Sequence, residues 1–128
     1  MANRNFKPID AVSTKTHILS FSFAPNGSSA IDQTSIKGRG VASVARSAQG
    51  VFLITLADAY LALHSAQATI AMSAATDLVP QWGAIDVTTS TGGTLVLNTN
   101  AGATPTDIAA NAANRVYITL HLCDDTVT

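Results

Sequence analysis

The chain has 128 residues, a formal net charge of −1 at pH 7 and 12% charged residues, against roughly 25% in typical domains. This length predicts one domain, and the near-zero net charge argues against the basic surface that direct nucleic-acid binding requires. The sequence starts without the apolar stretch of a signal peptide. No segment approaches the roughly 18 apolar residues of a membrane span, so we expect a protein made in a cytoplasm without membrane contact.

The choice of polar residues favours strands and turns over exposed helices. All eight acidic residues are Asp, Glu is absent, and Lys occurs three times. Glu and Lys are common on the solvent side of helices, whereas Asp, Ser and Thr compete with the helical backbone for hydrogen bonds. The composition therefore predicts little helix.

The first 14 residues are polar and partly basic, are interrupted by Pro8, and show neither a helical nor a strand period. We interpret residues 1–14 as an extended N-terminal arm, and residues 15–128 as the folded domain.

Strand signals then recur along the chain. Residues 17–23 alternate apolar and polar side chains, and residues 51–56 are apolar on both faces, as in a central strand. Further strands are predicted over residues 41–46, 65–72, 84–88, 94–98 and 116–122. Residues 73–81 are predicted as a loop, residues 58–63 as a helical turn, and residues 108–113 as a turn or two of helix capped by Thr106 or Asp107.

Seven or eight short strands at spacings of about ten to fifteen residues are typical of an all-β fold. We predict a single antiparallel β-sandwich or small barrel with the extended arm at its N-terminus.

The charges are unevenly distributed. Residues 1–46 carry a net charge of +4, six bases against two acids, and residues 47–114 carry −4, four acids and no base. Such segments can pair within one subunit or between identical subunits, and both alternatives are open at this point. The candidate subunit contacts are Lys37, Arg39, Arg46, Asp58, Asp77 and Asp86.

No pattern in the chain indicates catalysis, and we expect neither an enzyme nor a cofactor. Cys123 and His121 share one strand face, but no orienting acid or nucleophile elbow accompanies them. His17, His64 and His121 are far apart in the sequence, and only Asp124 and Asp125 follow closely, so we predict no metal site.

Trp82 is the only tryptophan, and Gly92 and Gly93 form a glycine-rich loop. These residues are the candidate contacts of one alternative function, a carbohydrate-binding or host-surface-binding β module.

Residues 50–56 followed by Asp58 and Tyr60, and residues 111–116 leading into the last strand, resemble small virion proteins of tailed bacteriophages, nearest to head decoration or cement proteins. The resemblance implies a protein on the outer capsid surface of a virion, often a homotrimer, that binds the major capsid protein and stabilises the shell. The candidate shell-contact residues in the arm are Asn3, Arg4, Asn5, Phe6, Lys7 and Pro8. A ring subunit of the tail, neck or baseplate is the structural alternative.

Overall fold

The structure, a computed structural model, describes residues 16–74, 76–88 and 92–123. The predicted arm and the pair Asp124 and Asp125 lie outside these residues.

The described residues form nine strands, one three-residue 3-10 turn (Gln33–Ser35) and no α-helix. The strands are β1 (Thr16–Phe23), β2 (Lys37–Gly38), β3 (Val41–Ala48), β4 (Val51–Leu56), β5 (Ala62–Ala71), β6 (Leu78–Asp86), β7 (Thr94–Ala101), β8 (Thr104–Pro105) and β9 (Arg115–Cys123). The predicted all-β class is therefore confirmed. The nine strands exceed the predicted seven or eight because β2 and β8, which are two residues long, have no periodicity to detect.

The strands pair into two antiparallel sheets. Sheet A has the order β2-β1-β9-β5, and sheet B has the order β3-β4-β7-β6 with β8 also paired to β7. The described strands thus form a sandwich-like pair of open sheets instead of a closed barrel.

The core lies between the inner faces of the two sheets. In β4 and β7 every second side chain is buried, and β9 buries four apolar side chains in the same alternating way. The rings of Phe23 in sheet A and Phe52 in sheet B meet across the core at a centroid distance of 5.3 Å. Period-two burial on both sheets is what the alternating sequence predicts.

Three local predictions were wrong. The predicted loop over residues 73–81 overlaps β6, which starts at Leu78 and includes Pro80. Proline is tolerated there because β6 is an edge strand, which needs no N–H on its outer side. Residues 58–63 and 108–113 form no helix. Asp107 binds Arg46 instead of capping a helix, and Ile108 is fully buried in the core.

Candidate assembly surface

The charged side chains of the described residues are concentrated at strand ends and in loops. Arg46 is the exception, since it lies inside β3. The others are Asp32, Lys37, Arg39, Asp58, Asp77, Asp86, Asp107 and Arg115. This placement leaves the outward faces of both sheets almost without charge.

The outer face of sheet A, defined by the strand registers, carries hydroxyl, amide, aromatic and aliphatic side chains. Its residues are Ile18, Ser20, Ser22, Ser65, Gln67, Thr69, Tyr117, Thr119 and His121. Ile18 is 62% exposed and Tyr117 is 49% exposed. Arg115 lies at the end of this face, where its guanidinium donates to the Ser22 hydroxyl at 2.8 Å and to the Ser35 carbonyl.

Among the described residues of the outer face of sheet B, Asp86 is the one charged side chain, and it lies at the end of the face, opposite Thr94. The other residues of this face are Ser43, Ala45, Ala48, Val51, Leu53, Thr55, Val79, Gln81, Thr94, Val96, Asn98 and Asn100. Ala45, Leu53 and Val96 form one apolar cross-strand row, and Val79 is 57% exposed. Exposed apolar side chains on a surface with little charge are typical of a surface that another molecule covers.

One base of the positive segment and one acid of the negative segment, Arg46 and Asp107, form an ion pair within the subunit. Arg46 donates from Nε and Nη2 to the two carboxylate oxygens of Asp107 at 2.9 and 2.8 Å, and Asp107 also accepts from the Gly50 N–H at 2.9 Å. Both side chains are about four-fifths buried, at 20% and 19% exposure. For this pair, the intrasubunit alternative is the observed one.

The remaining candidate subunit contacts occupy several places. Arg39 and Asp58 are in loops joined by the hydrogen bond from the Ala57 N–H to the Gly40 carbonyl, and Asp86 ends the neighbouring β6. Lys37 is on β2, and Asp77 lies in the β5–β6 connection. The subunit contacts of these five residues stay a prediction.

The Arg46–Asp107 pair makes stability depend on pH. The hydrogen bond from Arg46, and secondarily the one from the Gly50 N–H, lower the pKa of Asp107. A lowered folded-state pKa adds stability above the unfolded value of about 3.9, and that stability is lost as the pH falls through the folded-state pKa. We expect Asp107→Asn to be less stable than the wild type at pH 6, and the difference to shrink below about pH 4.

Urea unfolding at a series of pH values measures this effect. Asp77→Asn is the control, because it removes one exposed carboxylate in the β5–β6 connection and leaves the Arg46–Asp107 pair in place. A constant stability difference between Asp107→Asn and the wild type from pH 3 to pH 7 would contradict the assignment.

The contacts of two further polar side chains were not predicted from the sequence. The Asn114 amide donates to the Ala109 carbonyl and accepts from the Ser73 N–H at 2.7 Å, and Gln33 binds the backbone of Val44. These contacts join residues up to 41 positions apart, so no local pattern announces them.

The described residues contain no cluster of three or more His, Cys, Asp or Glu that could hold a metal ion. Cys123 is buried at 3% exposure, whereas His121 is half-buried on the outer face of sheet A. Within the same residues, the structure has no helix with the length and apolarity needed to cross a bilayer. The absence of catalysis stays a prediction.

The candidate carbohydrate contacts do not form an exposed binding surface. Trp82 is half-buried and packs against the core, and Gly92 and Gly93 are both buried. An added Cβ at Gly92 would lie 2.3 Å from the Leu56 carbonyl oxygen, so this glycine is required by the packing of the loop.

Comparisons of the chain with protein-family models, with curated proteins and with solved structures give no match.

Proposed function

We propose that the protein is a virion structural protein of the decoration type, which binds the outer surface of an assembled capsid and stabilises it through contacts between subunits. The observation that carries the assembly role is the pair of outer sheet faces, which carry charge only at their ends and expose Ile18, Tyr117 and Val79. The assignment to a capsid rests on the resemblance of residues 50–60 and 111–116 to small phage virion proteins.

The weakly charged faces suit repeated contacts better than one strong site. A face of small hydroxyl, amide and aliphatic side chains offers few ion pairs that would fix a single partner, and it costs less to desolvate than a charged face. Many copies on one lattice add their weak contacts. The proposed partners are the major capsid protein, through the arm, and other copies of the chain in a homotrimer.

A ring subunit of a tail, neck or baseplate is the second candidate, because the same weakly charged faces suit lateral contacts in a ring. Symmetry separates the two candidates. Three-fold particles in electron micrographs of the purified protein favour decoration, and six-fold rings favour the tail.

Deletion of residues 1–14 tests the role of the arm. We expect the shortened chain to keep its particle mass in light scattering and to lose sedimentation with capsid shells, because the arm is proposed to make the shell contact. A matched variant, Arg4→Ser with Lys7→Ser, retains the length of the arm and removes two charges. The fraction of this variant that sediments with capsid shells measures how much of the shell contact is electrostatic. Unchanged sedimentation of the shortened chain contradicts the shell contact, and a changed particle mass assigns the arm to the oligomer.

A further inference from the structure

The described strands leave one long sheet edge open. On the edge strand β3, the Gln33 side chain donates to the Val44 carbonyl at 2.7 Å and accepts from the Val44 N–H at 3.1 Å, in the place of a neighbouring strand. On the edge strand β6, Pro80 has no N–H to offer. On one side sheet A ends in β2, which is two residues long. These are the features by which proteins block strand pairing at an edge.

The edge strand β5 has no such feature between Ser65 and Ala71, beyond its one β-bulge at His64. It is ten residues long, with the sequence ALHSAQATIA, and contains no Pro, Gly, Lys or Asp. Its described ladder runs to β9 alone. In an antiparallel sheet, every second residue of an edge strand turns its N–H and C=O away from its neighbour. A long, uncharged edge of this kind is a template for a strand of another chain.

The sequence of β5 is complementary to itself when two copies run antiparallel about a two-fold axis at Gln67. In this register the exposed Gln67 side chains face each other, and Ser65 of each copy faces Thr69 of the other on the outer face. The inward positions pair Ala66 with Ala68. Amide and hydroxyl groups are favourable cross-strand partners, and no like charges meet.

A β-bulge extends the match to the end of the strand. Leu63 and Ser65 pair with adjacent residues of β9, so His64 is the extra residue of the bulge. If His64 has no partner in the other copy, Leu63 faces Ile70 of the other copy, and Leu61 faces Met72. Each of these pairs joins residues of the same, inward side.

The structure also provides a cavity where Leu61 of the other copy would arrive. Leu61 is 50% exposed, and an open cavity of about 240 Å³ is lined by Ile70, Met72, Ala74, Thr76 and Leu78. Covering the leucine side chain in this cavity removes its apolar surface from water on each copy, worth about 25 cal/mol per Å².

We infer that β5 is a two-fold interface between copies of this chain, in which the β5 strands join two copies of sheet A into one continuous sheet and each Leu61 enters the partner's cavity. The contact leaves both outer sheet faces accessible, so it is compatible with a three-fold contact through those faces. It does not depend on the proposed virion role.

Cysteine cross-linking tests the register. Gln67→Cys is expected to form a disulfide-linked pair on mild oxidation, because directly opposed strand residues have Cα atoms about 4.5 to 5.5 Å apart, within disulfide reach. Ser65→Cys and Thr69→Cys are each expected to remain uncross-linked alone and to cross-link when mixed. Ser20→Cys on β1 and the wild type, which retains the buried Cys123, are the controls.

Light scattering tests the contact without a disulfide. Gln67→Lys places two ammonium groups opposite each other, so we expect the particle mass to fall to half the wild-type value, with about a tenfold weaker contact. The control is Ser20→Lys, an exposed position of the same outer face away from the β5 edge, and it is expected to leave the Gln67→Cys cross-link unchanged when the two substitutions are combined. A monomeric wild type, or an absent Gln67→Cys cross-link, overturns the inference. A cross-link that appears only after deletion of residues 1–15 also overturns it, and identifies the N-terminal segment as the occupant of the edge. None of these measurements involves a capsid, so their failure is distinguishable from failure of shell binding.

Discussion

Phe52→Ala is expected to lower the free energy of unfolding by about 4 kcal/mol, because a buried aromatic ring is replaced by a cavity. Phe52 is 1% exposed and contacts the ring of Phe23 across the two sheets. The loss is a large share of the roughly 5 to 15 kcal/mol that stabilises a typical domain. Urea denaturation followed by circular dichroism, at a fixed protein concentration, measures it.

Leu53→Ala is the matched control, because Leu53 is the next residue of β4 and points to the outer face of sheet B. In a single subunit it is half-buried, so we expect a loss of about 1 kcal/mol. If Leu53→Ala costs as much as Phe52→Ala, the outer face is covered in the assembled protein. If Phe52→Ala costs less than Leu53→Ala, the inner and outer faces of β4 are assigned wrongly.

Gly50→Ala is the second substitution with a large expected effect. Gly50 has a φ of 65° in the β3–β4 turn, and its carbonyl accepts from the Thr99 N–H. An added Cβ would lie 2.5 Å from the Thr106 nitrogen and 2.7 Å from the Thr99 carbonyl oxygen. Backbone atoms cannot rotate away as a side chain can, so the turn must separate from β7. We expect a loss of about 3 kcal/mol or more, from overpacking and from the positive φ together.

Gly102→Ala isolates the steric part of this loss. Gly102 has nearly the same φ, 62°, but an added Cβ would have no atom within 4 Å. It should therefore cost only the conformational part, about 1 kcal/mol. Thermal unfolding of both variants measures the difference, and equal losses would show that packing at Gly50 is not limiting.

The long strands were predictable because their information is local. Residues 51–56 were predicted with the bounds of β4, and residues 17–23 and 116–122 with those of β1 and β9 to within one residue. The first half of β6 was predicted as a loop because it contains Pro80. Proline is compatible with a strand only at a sheet edge, and the sequence does not show that β6 is an edge strand. The Ala-rich segment 108–113 has helix propensity, but Ile108 at its start is buried in the core and the neighbouring Asp107 is bound to Arg46, and the segment forms no helix.

The candidate surface was only partly predictable. The scarcity of charge is visible in the sequence, but its consequence is not: the registers place the uncharged residues side by side on both outer faces. The sequence favoured Arg46 as an intersubunit contact equally with an internal one, and the internal partner, Asp107, is 61 residues away. The open edge at β5 also depends on strand order, which periodicity does not give.

The pairing of Thr16 with Cys123 brings the first and last described residues of the chain to one end of the sheets. The Gly102 turn, at the end of β7 that is remote from Thr94, is at the opposite end. A peptide inserted at residues 102–103 would therefore be displayed about 27 Å, the length of the eight-residue strand β7, from the end at which Thr16 and Cys123 lie. Such an insertion would leave that end of the sheets free for other contacts.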